Sequence, residues 1–261
     1  MKQFDKVHAD ALFLKGKYKE AFALYYEGAT EMRSSLAAFN LAYMFYQGFY
    51  TPIRYDEARR YFMAASALEG GAADFNLALM CMRGQGERVD FKAAVDHMRR
   101  AAAMGCVDAQ LYLGTAYTLG QVFDPIEIEC ISMIPFYRVI KRAPEAMILA
   151  GEGEDLQIED QRYEVISSDE HDALEMFELA AGQEDTTYLE KQIASAKTVL
   201  GQALIEGMGS EWDPARGWSM IEEVVRLHGS REAAEFLLAN REIAQSYGVD
   251  VKRAIYLLGE S

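Results

Sequence analysis

The sequence predicts an all-α solenoid of about five helix–turn–helix repeats, with an N-terminal helical cap and an insertion in the third repeat. Three observations carry that reading. First, residues 73–105 hold one complete repeat. Ala73, Leu77 and Cys81 recur every fourth residue, as one helix face does, and Gly84-Gln85-Gly86 stops that helix. Asp90 restarts the chain as an N-cap, and Ala93, Ala94, Met98, Ala101 and Ala102 give a second small-residue face that Gly105 ends. Second, the same frame stands 36 residues upstream as Ala37, Leu41, Ala42, Phe45 and Gly48, and 36 downstream as Ala109, Leu113, Gly114, Tyr117 and Gly120. Third, it returns late in the chain as Ala196, Leu200, Gly201, Leu204 and Gly207, and in degraded form as Ala233, Leu237, Leu238 and Arg241. A fixed period of this size marks stacked units that bury their faces against one another.

The elements follow in order. In residues 1–34, Val7, Ala11 and Leu14 form one stripe, Lys15-Gly16-Lys17 a turn, and Tyr18, Ala21, Phe22, Leu24 and Tyr25 a second stripe. The phrase KGKYKEAFALYYEGA resembles a tetratricopeptide turn and second helix, so this pair is expected to cap the stack. Residues 35–124 hold repeats one and two and the first helix of repeat three. Residues 125–168 are an insertion in the inter-helix loop of repeat three, where solenoids tolerate extra material. It is mostly helical by pattern: IEIECISMIPFYRVI is apolar and broken by Pro135, and EAMILAG is a short helix ended by Gly151 and Gly153. Leu156, Ile158, Tyr163 and Val165 around a polar EDQR suggest a small hairpin. Residues 169–261 hold the second helix of repeat three, from Asp169 to Ala180-Ala181, and repeats four and five. Asp213-Pro214 reads as a cap followed by a first-turn proline, and Asp250 opens the last short helix.

The frame A-x3-L-G-x2-Y-x2-G, a short loop, an aspartate and then A-A-x2-G resembles the Sel1-like repeat, a relative of the tetratricopeptide repeat. AQLYLGTAYTLG, residues 109–120, fits every position of the first helix. The resemblance covers about 35–121 and 169–258. Ala42, Ala78 and Leu238 replace the glycine, Phe45 and Cys81 replace the tyrosine, and only Trp218 answers to the tryptophan of the second helix. The resemblance implies a right-handed α/α superhelix that serves as a scaffold or adaptor and carries no chemistry of its own.

Composition narrows the partner classes. With 51% hydrophobic residues the chain can build a sizeable core. A formal net charge of −15 argues against nucleic acid or an anionic membrane as partner, since neither gains phosphate neutralisation. It is compatible with a basic partner and, more simply, with solubility. Cys81, Cys106 and Cys130 are few and odd in number, which fits reduced thiols in a cytoplasm. The N-terminal stretch has no unbroken apolar core or cleavage site, so no signal peptide is expected. No apolar run reaches the ~20 residues of a membrane span.

Leu41, Leu77, Leu113 and Leu200 hold the consensus core positions. Function is sought on the other stripe of each first helix, which lines the concave surface in the related tetratricopeptide fold. That stripe is Phe39, Tyr43 and Tyr46 in repeat one and Phe75, Leu79 and Met82 in repeat two, each set on one helix face. Leu111 continues it in repeat three, and Arg83 stands as a rim charge. In repeats four and five the stripe turns polar, as Thr198, Gln202, Glu206, Glu235 and Glu242. These residues point to a non-enzymatic protein–protein adaptor that binds a peptide or protein segment on the concave face. Three alternatives stand beside it. The leading helices or the insertion cover the stripe; a second copy pairs with it in a homo-oligomer; or a small-molecule or enzymatic site lies between the insertion and the concave face. No cofactor, metal site or catalytic group is expected. His8, His97, His171 and His228 are scattered, His171 and Glu175 make only one helical pair, and no phosphate loop or nucleophile elbow occurs.

Overall fold

In the computed structural model the described residues are 4–68, 71–119, 155–158, 161–164, 170–183, 190–210 and 212–259. They form thirteen α-helices, a short 3-10 turn and one antiparallel hairpin. The chain divides into two units, one built mainly of residues up to Cys106 and the other mainly of residues from Val107 onward.

In the first unit, α1 (Lys6–Leu14) and α2 (Tyr18–Thr30), α3 (Ser35–Gln47) and α4 (Tyr55–Ser66), and α5 (Gly71–Arg83) and α6 (Phe91–Ala103) are three successive pairs, each helix packed on the next. Local chemistry sets their ends. The Ser34 hydroxyl accepts from the Ala37 amide at 3.3 Å to start α3, and Gly48 ends it in the left-handed region at φ 77°. The Asp90 carboxylate accepts from the Ala93 amide at 3.0 Å and caps α6, as its position in the repeat suggests. In α4 the aspartate does not cap. Arg54 holds the N-cap position without a side-chain bond, and Asp56 and Glu57 lie in the first turn, where the helix dipole favours carboxylates. Leu41, Met44, Phe62, Leu77 and Met80 fill the centre of this unit. A hairpin of β1 (Asp155–Ile158) and β2 (Gln161–Glu164), with Leu156 opposite Tyr163, lies with β2 against α6.

In the second unit, α7 (Val107–Leu119) packs on α8 (Glu170–Ala181), and α8 packs on α9 (Glu190–Glu206). Then α9 packs on α10 (Pro214–Leu227), α10 on α11 (Arg231–Ala239), and α11 on α12 (Arg241–Ser246) and α13 (Lys252–Leu258). Most of the expected insertion, and Asp169, lie outside the described residues. Even so, α7 and α8 meet as closely as the helices of the uninterrupted pairs. A Cβ on Gly114 would lie 2.6 Å from the Phe177 ring. The consensus glycine position thus demands a small residue, and alanine satisfies it where Ala42 and Ala78 are fully buried. Asp213 caps α10 by accepting from the Arg216 amide at 3.0 Å, with Pro214 in the first turn. Trp218, Ile221, Val224 and Leu237 make the core of the last pairs.

Candidate functional site

The stripe begins on α3. Phe39, Tyr43 and Tyr46 are half-buried, so each ring keeps an open edge. Their inner edges are held by neighbours. Phe39 meets Phe62 at a ring-centroid distance of 5.5 Å, and Tyr46 meets Tyr55 at 5.5 Å. Tyr43 lies 6.1 Å from Phe49, which in turn packs on Phe13 at 5.2 Å and Tyr18 at 4.9 Å. The leading pair therefore buttresses the stripe from one side and leaves it partly open.

Polar contacts tie the first helices together. The Tyr46 hydroxyl donates to Gln85 Oε1 at 3.0 Å and accepts from Arg83 Nη1 at 3.0 Å, which links repeat one to repeat two. Asp10 of α1 accepts from the Tyr25 hydroxyl at 2.7 Å and from Asn40 Nδ2 at 3.4 Å, and pairs with Lys6 Nζ at 3.0 Å. Burial, and then the bonded Asp10 carboxylate, push the Tyr25 phenol upward, so it remains a donor. Through Asp10–Asn40 and Tyr46–Arg83 the exposed sides of α1, α3 and α5 border one another.

Not all of the expected stripe is open. Phe75 and Arg83 are half-buried, but Leu79, Met82 and Leu111 are only 6%, 1% and 8% exposed. These three side chains fill the core and do not line an open face, because a stacked helix is packed on two sides and its second apolar stripe is consumed there. Arg83 donates to the Tyr46 hydroxyl. Leu111 belongs to the second unit. There Thr198 is fully buried, its hydroxyl donating to the Ala194 carbonyl at 2.8 Å, while Gln202 is half-buried and Glu206, Glu235 and Glu242 are exposed.

One cluster escapes a reading of the sequence. Asp74 of α5 is 2% exposed. It accepts from the Ser66 hydroxyl at 2.7 Å, and its other oxygen lies 2.7 Å from His97 Nδ1 and 2.6 Å from Arg100 Nη2. Desolvation pushes the Asp74 carboxyl upward, but the hydrogen bonds from His97, Ser66 and Arg100 outweigh it and hold the group below its ordinary value. The serine proton points at the carboxylate and not at the imidazole, so no nucleophile–base pair results. The cluster anchors α4, α5 and α6 to one another. His97 and Arg100 share a face of α6, yet nothing in the sequence says that a carboxylate from the preceding helix will meet them. Cys81 is buried, and burial pushes its thiol upward, away from the reactive thiolate. Among the described residues no group of three or more His, Cys, Asp or Glu side chains is arranged to hold a metal ion.

The family model for the Sel1 repeat matches residues 35–69, 71–106 and 144–185. The chain carries three Sel1 repeats. The first two Sel1 matches coincide with the pairs α3–α4 and α5–α6, and the third takes in all of α8. The matches stop short of α9–α13, although α9 and α10 repeat the paired packing. Among solved structures, a Sel1 repeat protein from Oxalobacter formigenes is similar at a TM-score of 0.60 and 20% identity, covering 85% of this chain and 49% of that one. A protective antigen present in uropathogenic Escherichia coli strains, displaying an SLR fold, is similar at a TM-score of 0.44 and 16% identity, covering 93% and 48%. This Sel1-repeat chain therefore spans about half the length of either protein. None of the curated proteins matches it. Sel1-repeat proteins are generally protein-interaction scaffolds, and the family is generally non-enzymatic. No helix among the described residues is long and apolar enough to cross a membrane.

Proposed function

We propose that this chain is a non-enzymatic scaffold that binds a peptide or protein segment on the concave, first-helix face of its N-terminal unit. Phe39, Tyr43, Tyr46 and Phe75 are the anchors, and Arg83 stands at their edge. The observation that carries the reading is the Tyr46 hydroxyl, bonded to both Arg83 and Gln85 at 3.0 Å, which ties a partly open ring of repeat one to repeat two. Rings already held by their neighbours lose little conformational entropy when a partner covers them, and aromatic and arginine side chains dominate binding energy at interfaces.

The test is a pull-down from the source organism's lysate with wild type, Tyr43→Ala and Phe75→Ala, each variant first matched to wild type by thermal melting. Truncating a core aromatic costs ~3–5 kcal/mol and would mimic lost binding, so the matching decides the interpretation. A partner kept by wild type and lost by an equally stable variant is the expected result. If both variants are stable and keep every partner, the first-helix face is not the site.

A further inference from the structure

The inter-helix loop of repeat one departs from those of repeats two and four. In the 36-residue register Gly48-Phe49-Tyr50 answers to Gly84-Gln85-Gly86, so Tyr50 stands where repeat two has Gly86. Both residues take the left-handed region, at φ 69° for Tyr50 and 86° for Gly86. The loop of repeat four also has a glycine there, Gly209 at φ 62°. At Gly86 a side chain has no room, since a Cβ would lie 2.8 Å from the Tyr55 carbonyl oxygen. At Tyr50 a large side chain occupies a backbone conformation that is free for glycine and unfavourable for other L-residues.

That side chain is not spent in the core. Tyr50 is 52% exposed, and so are Tyr26 at 49% and, in the same loop, Ile53 at 54%. The Phe22 ring joins the two tyrosines, 5.3 Å from Tyr50 and 6.4 Å from Tyr26. Lys19, Phe22 and Tyr26 follow i, i+3, i+7 spacing and share one face of α2. Lys19 is exposed, and among the described residues neither it nor Lys15 in the adjoining turn has an ion-pair partner. Arg54 lies over Phe45, which meets Phe22 at 5.3 Å, and Arg60 lies over Tyr61, but both are paired, with Asp56 and Glu57. The uncompensated charge beside the apolar patch is therefore positive. It belongs to a positive half: residues 1–106 carry 14 Lys and Arg against 12 Asp and Glu, a balance of +2, whereas residues 107–261 carry 12 against 29, a balance of −17.

We propose that Tyr26, Tyr50 and Ile53, with Lys19, form a second docking surface, and that its occupant is a short acidic partner segment presenting an aromatic or aliphatic side chain flanked by Asp or Glu. The apolar anchor packs on the Tyr50 and Tyr26 rings, and the carboxylate meets Lys19. A basic segment would be drawn to the acidic remainder of the chain instead. A second copy pairing patch to patch would set two Lys19 ammonium groups against each other. The surface lies on α2 and the repeat-one loop and uses neither Tyr43 nor Phe75, so it is separate from the first-helix face.

The experiment selects displayed random short peptides on the full chain, then measures the fluorescein-labelled consensus peptide by anisotropy. The expected peptides carry Asp or Glu beside an apolar anchor. Their affinity falls about tenfold or more with Tyr50→Gly and with Lys19→Glu, weakens with added salt, and is unchanged by Tyr43→Ala. Tyr50→Gly suits its backbone conformation and is expected to melt close to wild type. If it melts well below, Lys19→Glu decides, and binding unchanged by that charge reversal overturns the proposal. Lys- or Arg-rich peptides, no enrichment, or full binding to a stable Tyr50→Gly variant also overturn it. Binding lost only in Tyr43→Ala overturns it too, while supporting the first-helix face.

Discussion

His97 Nδ1 stands 2.7 Å from Asp74 Oδ1 and fastens α6 to α5 inside the first unit. The same Nδ1 lies 2.7 Å from Arg100 Nη2, so Asp74 Oδ1, His97 Nδ1 and Arg100 Nη2 close a tight triangle. Ser66 adds a bond from α4, and Arg100 adds one from a guanidinium that is itself 58% exposed. Asp74→Asn keeps one acceptor oxygen and turns the other into an NH2 donor, so either the Ser66 hydroxyl or the His97–Arg100 side faces a donor, while Arg100 stays hydrated. Asp74→Asn should therefore cost about 2–3 kcal/mol, less than the ~3–5 kcal/mol of breaking a fully buried ion pair. Urea denaturation followed by circular dichroism measures this directly. A loss near zero would mean that the cluster only decorates the interface between the repeats.

Acid should act on the two units with opposite sign. Asp74 is held below its ordinary value, so the folded state binds its proton less readily than the unfolded chain. Its stabilisation is complete above the ordinary carboxylate range and fades as pH falls through the lower folded value. Asp108 and Glu232 in the second unit are shifted upward, Asp108 by burial and Glu232 by burial and then by Glu235. Each is tolerated while protonated and destabilises as pH rises past its unfolded value. Asp108→Asn should therefore raise stability at neutral pH, and the gain should vanish in acid. Thermal melts of wild type, Asp74→Asn and Asp108→Asn across about pH 3 to 7 separate the two effects. An Asp74→Asn variant with the wild-type acid slope would contradict the assignment.

The repeat frame was legible because burial has a period. Leu41, Leu77, Leu113 and Leu200 recur in register and are all buried, and Asp90 and Asp213 cap the helices they precede. The openness of the second stripe was not legible. Met82 and Tyr46 hold equivalent positions and are both apolar in pattern, yet one is buried and the other partly open, because the neighbours that cover them come from elsewhere in the chain. The Asp74–His97 contact joins residues 23 positions apart and depends on how the α5–α6 pair packs. The oddity of Tyr50 stood in the alignment of the repeats, opposite Gly86, but it acquires meaning only with the backbone angle.

α9 and α10 approach through paired glycines. A Cβ on Gly217 would lie 2.5 Å from the Gly201 carbonyl oxygen and 2.8 Å from Ile205 Cγ1. Alanine ordinarily gains about 0.5–1 kcal/mol over glycine inside a helix. Here the contact is with backbone, which cannot turn aside, and overpacking costs ~1–3 kcal/mol. The clash should win, and Gly217→Ala should be destabilising by about 1–2 kcal/mol. A stabilised variant in a urea melt would mean that the helices separate at little cost.

Gly86 and Gly248 offer a matched pair for separating backbone strain from crowding. Both hold φ near the same value, 86° and 84°. Around Gly248 a Cβ would meet nothing within 4 Å, whereas at Gly86 it would lie 2.8 Å from the Tyr55 carbonyl oxygen and 3.1 Å from its carbon. Gly248→Ala should therefore cost only the left-handed strain, about 1–2 kcal/mol. Gly86→Ala should cost the same strain and ~1–3 kcal/mol more, because the loop must lift off the start of α4. Parallel urea melts of the two variants give the difference. If both lose the same amount, the repeat-two loop yields easily, and glycine is kept at 86 for its backbone angle alone. If Gly86→Ala loses more, the loop is pinned against the preceding repeat, and Tyr50 keeps a side chain only because its own loop is not.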